Sequence, residues 1–295
     1  MTQEIAISMI VPFYKGNRYI NELLENAGCA AAQLRQQYGV EMEVVVVNDS
    51  PDVPVEITAE PALPVRVVVN EKNLGIQGSR IHGIREARGT YIQMLDQDDL
   101  LVPENYAEQY HLIQDCDMVV GNALYQCGES FKNHYANKAV MRYYIHQTRF
   151  LNIRNLIASP GQCLIRKSAI PAYWLENPMK TNGSDDYYLW LLMFRDGVNI
   201  ALNPNPTYIH RNSEEGNLSF DLEKMHKSNM EMCDLLAKNN QYPQSVLVTL
   251  RRNIQFKYLY DTHQLKPVDW LKYGDKVFDN GVYKIYTAVL KLLHG

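Results

Sequence analysis

"TYIQMLDQDD", Thr90 to Asp99, decides the fold. A short run, Thr90–Leu95, reads as a buried strand and stops at three carboxylates within four positions, Asp96, Asp98 and Asp99. Carboxylates packed so closely repel one another. Placed at a strand end, they ask for a cation or a substrate that brings one.

Upstream, the same rhythm repeats. "IAISMIVPF" (Ile5–Phe13) is a nearly continuous apolar run, as expected of a strand buried on both faces. Residues 18–38 place Ile20, Leu23, Leu24, Ala27, Ala31 and Leu34 at helical spacing. "MEVVVVNDS" (Met42–Ser50) and "PVRVVVN" (Pro64–Asn70) are further strands, residues 76–88 a helix, and 103–114 another. "CDMVVGN" (Cys116–Asn122) closes the regular part as a strand. Strand and helix alternating over short connections predict an α/β fold with a mostly parallel sheet and right-handed crossovers. Ligands of such sheets bind beyond the carboxyl ends of the strands. Pro12-Phe13-Tyr14, Asn48-Asp49-Ser50 and Asp96-Gln97-Asp98-Asp99 all stand there.

After residue 122 the pattern loosens. "LYQCGESFKNHY" reads as a hairpin, 138–158 as partly helical, and "QCLIRKS" (Gln162–Ser168) as a short strand entering a helix. "SDDYYLWLLMFRDG" (Ser184–Gly197) is a helix with Ser184 as its cap, acids in its first turn and Gly197 just past its end. "VNIALNPNPTYIHR" is a strand and turn. From Asp221 the chain is helical in three pieces, broken near Pro243, Pro267 and Gly281.

Composition sets outer limits. The net charge of −4 argues against a nucleic-acid partner, whose footprint is basic. Five cysteines, an odd number without a CxxC, signal neither a disulfide framework nor a zinc site, and fit a reducing cytoplasm. No basic region precedes the first apolar run, which reads as a strand and not a signal peptide. No apolar stretch reaches membrane-spanning length.

Four segments, "SMIVPFYKGNRYI", "EVVVVNDSPD", "NEKNLGIQGSRIHGIREARGTYIQMLDQDD" and "SDDYYLWLLM", come in the order and at the spacings of the family 2 glycosyltransferases. The resemblance covers about residues 4–216. It implies the GT-A fold: a Rossmann-like, mostly parallel sheet flanked by helices. It also implies an inverting, metal-assisted enzyme that moves a sugar from a nucleotide donor, usually a UDP-sugar. By that resemblance Pro12 and Tyr14 line the nucleobase, and Asp49 accepts a hydrogen bond from the uracil. The family commonly has two acids there, and this chain has Asn48-Asp49. Asn73, Gly75 and Arg80 match the segment that shapes the donor pocket. Asp96 matches the carboxylate near the ribose or sugar, and Asp98 the principal ligand of Mn2+ or Mg2+. Asp99 is expected behind the metal or as a cap of the following helix.

An inverting transfer needs one base to take the acceptor proton. Asp185-Asp186 matches the family's Glu-Asp pair, with Asp186 as the base and Asp185 replacing the more common Glu. His210, in "PTYIHR", matches a residue that completes the metal's coordination, with Arg211 as a phosphate contact. The following "NSEEG" departs from the family's shorter pattern. Gly161 and Gln162 stand where relatives place an acceptor wall. Trp190 reads as core.

The whole reading is a hexose or N-acetylhexosamine transferase acting on a glycan or lipid-linked acceptor in cell-surface polysaccharide synthesis. Residues 1–220 form its catalytic domain, 1–122 for the nucleotide and 123–220 for the acceptor, and 221–295 a helical extension. Two other readings stay open at this point. A nucleotidylyltransferase shares the acids and the α/β pattern, but would carry a Gly-rich basic loop after the first strand. A degenerate binding module would keep the fold without the chemistry. The last helix, "VYKIYTAVLKLLHG", sets Val282, Ile285, Val289, Leu292 and Leu293 on one side near Lys284 and Lys291. It is expected to pack on the catalytic domain or at a homodimer contact. A peripheral membrane contact at the inner face is the alternative.

Overall fold

A computed structural model describes residues 4–58, 60–211 and 220–294. The segment Asn212–Gly216, where the sequence departs from the family pattern, lies outside the described residues.

The chain divides into two compact units. The first takes in Met1–His134, Ile157–Ile170 and Val198–Ser213. Its nine-stranded sheet is built from β1 (Ile5–Phe13), β2 (Glu41–Asn48), β3 (Val65–Val69), β4 (Tyr91–Met94), β5 (Leu100–Leu101), β6 (Met118–Cys127), β7 (Ser130–Asn133), β8 (Cys163–Arg166) and β9 (Ile200–His210). The order is β3-β2-β1-β4-β8-β6-β9-β5, with β7 paired to β6. β3, β2, β1 and β4 run parallel, as the alternation predicts. β8 is antiparallel to both β4 and β6, so the sheet beyond β4 is mixed.

The runs of β-branched residues explain the central strands. β1 and β2 are buried along almost their whole length, because helices cover both faces. α1 (Asn17–Tyr38) turns Ile20, Leu23, Leu24, Ala27, Ala31 and Leu34 into the core. α2 (Gly75–Glu86) packs on β1 and β2, and α3 (Pro103–Ile113), with Pro at its first position, packs on α1 and β9. A buried charge ties the central strands together. Glu43 on β2 accepts the Ser8 hydroxyl (2.7 Å), the Arg88 amide (2.9 Å) and Arg66 Nε (3.2 Å). Burial opposes its ionisation, but the Ser8, Arg88 and Arg66 donors prevail and hold its carboxyl below the usual range.

The second unit takes in Tyr135–Leu156, Pro171–Gly197 and Glu214–Gly295. Its described helices are α4 (Lys138–Tyr144), α5 (Gln147–Asn152), α6 (Ala172–Glu176), α7 (Asp185–Arg195), α8 (Leu222–Asn239), α9 (Gln244–Asp261), α10 (Pro267–Lys272) and α11 (Gly274–His294). α7 is buried from Tyr187 to Met193 and packs against α5, α6 and α8, which suits a helix apolar all round. Trp190 is core, as expected. Two expectations change. Ser184 precedes α7 without capping it by its hydroxyl, which donates to Asn229 Oδ1 (3.0 Å). Gly281 does not break the last helix, which runs unbroken from Gly274 to His294. The segment from Asp221 onward shares its unit with 135–156 and 171–197.

Candidate active site

The parallel strands β1, β2 and β4 bring three polar stretches to one rim of the first unit. Phe13 stands in register with Asn48, and the Asp49 amide donates to the Phe13 carbonyl (2.8 Å). Asn48 makes the Asx turn here: its Oδ1 accepts the Ser50 amide (2.9 Å). Asp49 therefore does something else. Its buried carboxylate accepts Asn70 Nδ2 (2.7 Å) and the backbone amides of Leu74 (2.7 Å) and Gly75 (3.0 Å). It thus satisfies orphan donors at the start of α2. Asn73 closes the same corner, with Nδ2 on the Asp49 carbonyl (3.3 Å) and Oδ1 on the Gly75 amide (3.2 Å). Gly75 has φ of +76°, a conformation only glycine adopts without strain.

The acidic turn after β4 sorts its carboxylates into different environments. Asp96 Oδ1 accepts Arg80 Nη2 at 2.6 Å, and Arg80 is 3% exposed. This is a buried guanidinium and not a surface pair. Asp98 is half-buried, and its carbonyl accepts Arg211 Nε (2.5 Å). Asp99 is buried and faces β9, accepting the Tyr208 hydroxyl and the Arg211 amide (2.8 Å), with His210 Nδ1 at 3.4 Å. It does not cap α3, whose cap position is Val102. Arg211, expected on a phosphate, engages Glu22 through Nη1 (2.6 Å).

The electrostatics record an excess of negative charge. Burial pushes the Asp99 carboxyl up, against the His210 hydrogen bond that favours its ionised form. Burial pulls the His210 imidazole down, but the hydrogen bond and charge of Asp99, with Asp96 and Asp98, raise it overall. A divalent cation would meet this field. Among the described residues, no three His, Cys, Asp or Glu side chains gather as a preformed metal cage. Sites that keep a cation on a phosphate-bearing substrate use only one or two carboxylates from the protein. His210 holds Nδ1 toward Tyr208 (3.0 Å) and Asp99, the outer-shell arrangement that orients a ligating imidazole. Asp98 and His210 fit such a cation in their donor chemistry.

Residues that sequence reasoning passed over hold this rim in place. Gln97 clasps the backbone of Tyr14 from both ends of its amide, Oε1 on the Tyr14 amide (2.9 Å) and Nε2 on its carbonyl (3.2 Å). That leaves the Tyr14 ring half exposed beside Pro12 at the end of β1. Asn70 links Asp49, Ser79 (2.9 Å) and His82 (2.6 Å). Gln162, by contrast, was expected in the acceptor wall, but it is fully buried: its Oε1 accepts the Ala158 amide and its Nε2 donates to the Gly121 carbonyl, both at 2.7 Å. It is an internal pin, and Gly161 lies under the Tyr208 ring.

Asp186 and Asp185 belong to the second unit. Asp185 is buried, and its carbonyl accepts Trp174 Nε1 (2.9 Å). Asp186 Oδ2 accepts Asn155 Nδ2 (2.8 Å), and Oδ1 accepts the Tyr187 amide (2.6 Å). Asp186 lines a cavity of about 390 Å3 with Asn155, His226, Asn229, Lys257 and Tyr258. The His226 ring stacks on Tyr258, with centroids 4.2 Å apart.

Against this geometry, a family model for glycosyl transferase family 2 matches residues 8–174. The chain belongs to that family. It is 25% identical over 234 residues to an uncharacterised glycosyltransferase of Haemophilus influenzae, covering 75% of this chain and 74% of the relative. It is 23% identical over 291 residues to the minor teichoic acid biosynthesis protein GgaB of Bacillus subtilis, covering 91% of this chain but 31% of that protein. Among solved structures, S. aureus TarS in complex with UDP-GlcNAc aligns with a TM-score of 0.61 at 16% identity, over 95% of this chain and 81% of that one. The mannosyltransferase PcManGT from Pyrobaculum calidifontis, in complex with GDP-Man and Mn2+, aligns with a TM-score of 0.56 at 14% identity, over 99% and 88%. The fold of this glycosyltransferase is GT-A. Family membership sets aside the nucleotidylyltransferase reading.

Proposed function

We propose that this family 2 enzyme moves a sugar from a UDP-sugar to a hydroxyl of a glycan or lipid-linked acceptor, with inversion. The observation that carries the reading is the gathering of Asp49, the Arg80–Asp96 pair, and the Asp98-Asp99 turn with His210 of β9 around one unit's strand ends. Tyr14 and Pro12 flank the uracil, and Asp49 accepts from its ring. Arg80, its charge shared with Asp96, helps hold the ribose and diphosphate side. A divalent cation, Mn2+ or Mg2+, held by Asp98 and His210, would neutralise the leaving diphosphate. Asp99 fixes His210 from behind.

The acceptor hydroxyl occupies the cavity beside Asp186. Asp186 takes its proton as the acceptor oxygen bonds to the anomeric carbon, while the bond from that carbon to the diphosphate breaks on the opposite face. Nucleoside diphosphate leaves, and the sugar is inverted. Asn155 and the Tyr187 amide aim the carboxylate, and Asp185 stays behind it. A TarS structure with UDP-GlcNAc and a relative in teichoic acid synthesis support a UDP donor and a cell-surface polysaccharide setting.

The test is calorimetric titration of UDP, GDP, CDP and dTDP with and without Mn2+. UDP binding that needs the metal and fails in Asp98→Ala supports the donor site. Equal binding with or without metal, unchanged in Asp98→Ala, refutes it.

A further inference from the structure

Asp49 is held more tightly than the start of a helix alone requires. Asn70 follows β3, and its backbone amide donates to the Asn48 carbonyl (2.9 Å), which sets it beside Asp49. Asn70 is 1% exposed. Its Nδ2 donates twice, to Asp49 Oδ1 (2.7 Å) and to the buried Ser79 Oγ on α2 (2.9 Å). Its Oδ1 lies 2.6 Å from Nδ1 of His82, about one turn further along α2.

The chemistry of these groups fixes their order. An ionised carboxylate only accepts, so Asn70 must turn its NH2 group to Asp49. The amide oxygen that then faces His82 also only accepts, so Nδ1 of His82 carries a proton. A carboxylate offers about four acceptor positions. Asn70 and the Leu74 amide take both of those on Asp49 Oδ1, and the Gly75 amide takes one on Oδ2. The position left is on Oδ2, and Asn70 keeps Oδ1 from competing with it. That matters to a nucleobase. Uracil presents its N3–H to such a carboxylate. Cytosine presents a bare N3 lone pair there, with its donor, the exocyclic NH2, to one side. A carboxylate held in one orientation rejects the cytosine edge, whereas one that pivots can reach its NH2 group.

We infer that Asn70 and His82 are positioning residues for the choice of base. His82 orients the Asn70 amide, Asn70 fixes the Asp49 carboxylate, and Asp49 thereby takes uracil over cytosine. The inference rests on the reading that the nucleobase meets Asp49. Both residues act through that carboxylate.

Calorimetric titration of the full chain with UDP and with CDP, both in Mn2+, tests this through the ratio of the two dissociation constants. The wild type should prefer UDP. Asn70→Ala should narrow that preference by about tenfold, the low end of what a hydrogen bond to a charged group is worth. His82→Leu should narrow it by roughly threefold, as for a bond between neutral groups. His82→Asn, whose Nδ2 can stand where Nδ1 stood, should restore it. A purely structural role would weaken UDP and CDP alike and leave the ratio unchanged, which overturns the inference. The two His82 variants, at a half-buried position, decide the matter if Asn70→Ala does not fold. A ratio lost in His82→Leu and not restored in His82→Asn removes His82 from the chain of contacts. If the wild type binds UDP no better than CDP, the reading of Asp49 fails and takes the inference with it. If the wild type prefers UDP and the ratio survives both Asn70→Ala and His82→Leu, the positioning role alone is overturned and Asp49 keeps its own.

Discussion

Asp186 shows what a single residue contributes. Its two oxygens already accept from Asn155 and the Tyr187 amide, so the carboxylate is held in one orientation without side-chain rearrangement. Asp186→Asn keeps that shape and removes the proposed base. Transfer should fall by about 10²–10⁴-fold, the usual worth of a positioned base, while the Kd for UDP stays within about twofold. Full transfer by the asparagine variant would remove Asp186 from the mechanism. The acids of the turn after β4 were visible in the sequence, but their sorting was not. Asp99 receives Tyr208, His210 and Arg211 from more than a hundred residues away, and no local pattern announces that pairing. Gln97 was hidden for the same reason: its partner, the backbone of Tyr14, lies 83 residues upstream.

At the scale of the element, strands were legible wherever burial on both faces forces an unbroken apolar run, as in β1 and β2. β5, two residues long, has no periodicity to read. α11 was legible as amphipathic, but periodicity does not say which face a helix buries. Contact between elements can be tested directly. A Cβ on Gly83 of α2 would strike Ile10 Cγ2 on β1 and Val47 Cγ2 on β2. Gly83→Ala gains about 1 kcal/mol of helix propensity but forces overpacking that costs about 1–3 kcal/mol. The net expectation is a lower urea midpoint, and a raised one would mean that α2 can lift off the sheet without cost. Glu43 binds β1, β2 and β3 together, and its folded pKa lies below the unfolded value of about 4.3. Its contribution is therefore complete above that unfolded value and is lost as pH falls through the folded one. Glu43→Gln should cost about 2 kcal/mol at pH 7, in the range for hydrogen bonds to a charged group. The gap between the two unfolding curves should close progressively below about pH 4. A gap of constant size would show that the charge of Glu43 contributes nothing.

Across the whole molecule, the proposed labour follows the two units. Every residue assigned to the donor and its cation belongs to the first unit, and Asp186 with its cavity belongs to the second. Nucleotide binding and base catalysis should therefore separate under mutation. A ligand at a hundred times its Kd stabilises the form that binds it by about 2.7 kcal/mol, so UDP with Mn2+ should raise the thermal midpoint measurably. A chelator should cancel the rise, because the diphosphate then meets the carboxylates of the turn without the ion between them. Asp98→Ala should show no rise, and Asp186→Asn the full one. If Asp98→Ala kept the rise, the cation would have to be held elsewhere. If Asp186→Asn lost it, the second unit would take part in holding the donor, and the assignment of binding to one unit and deprotonation to the other would fail.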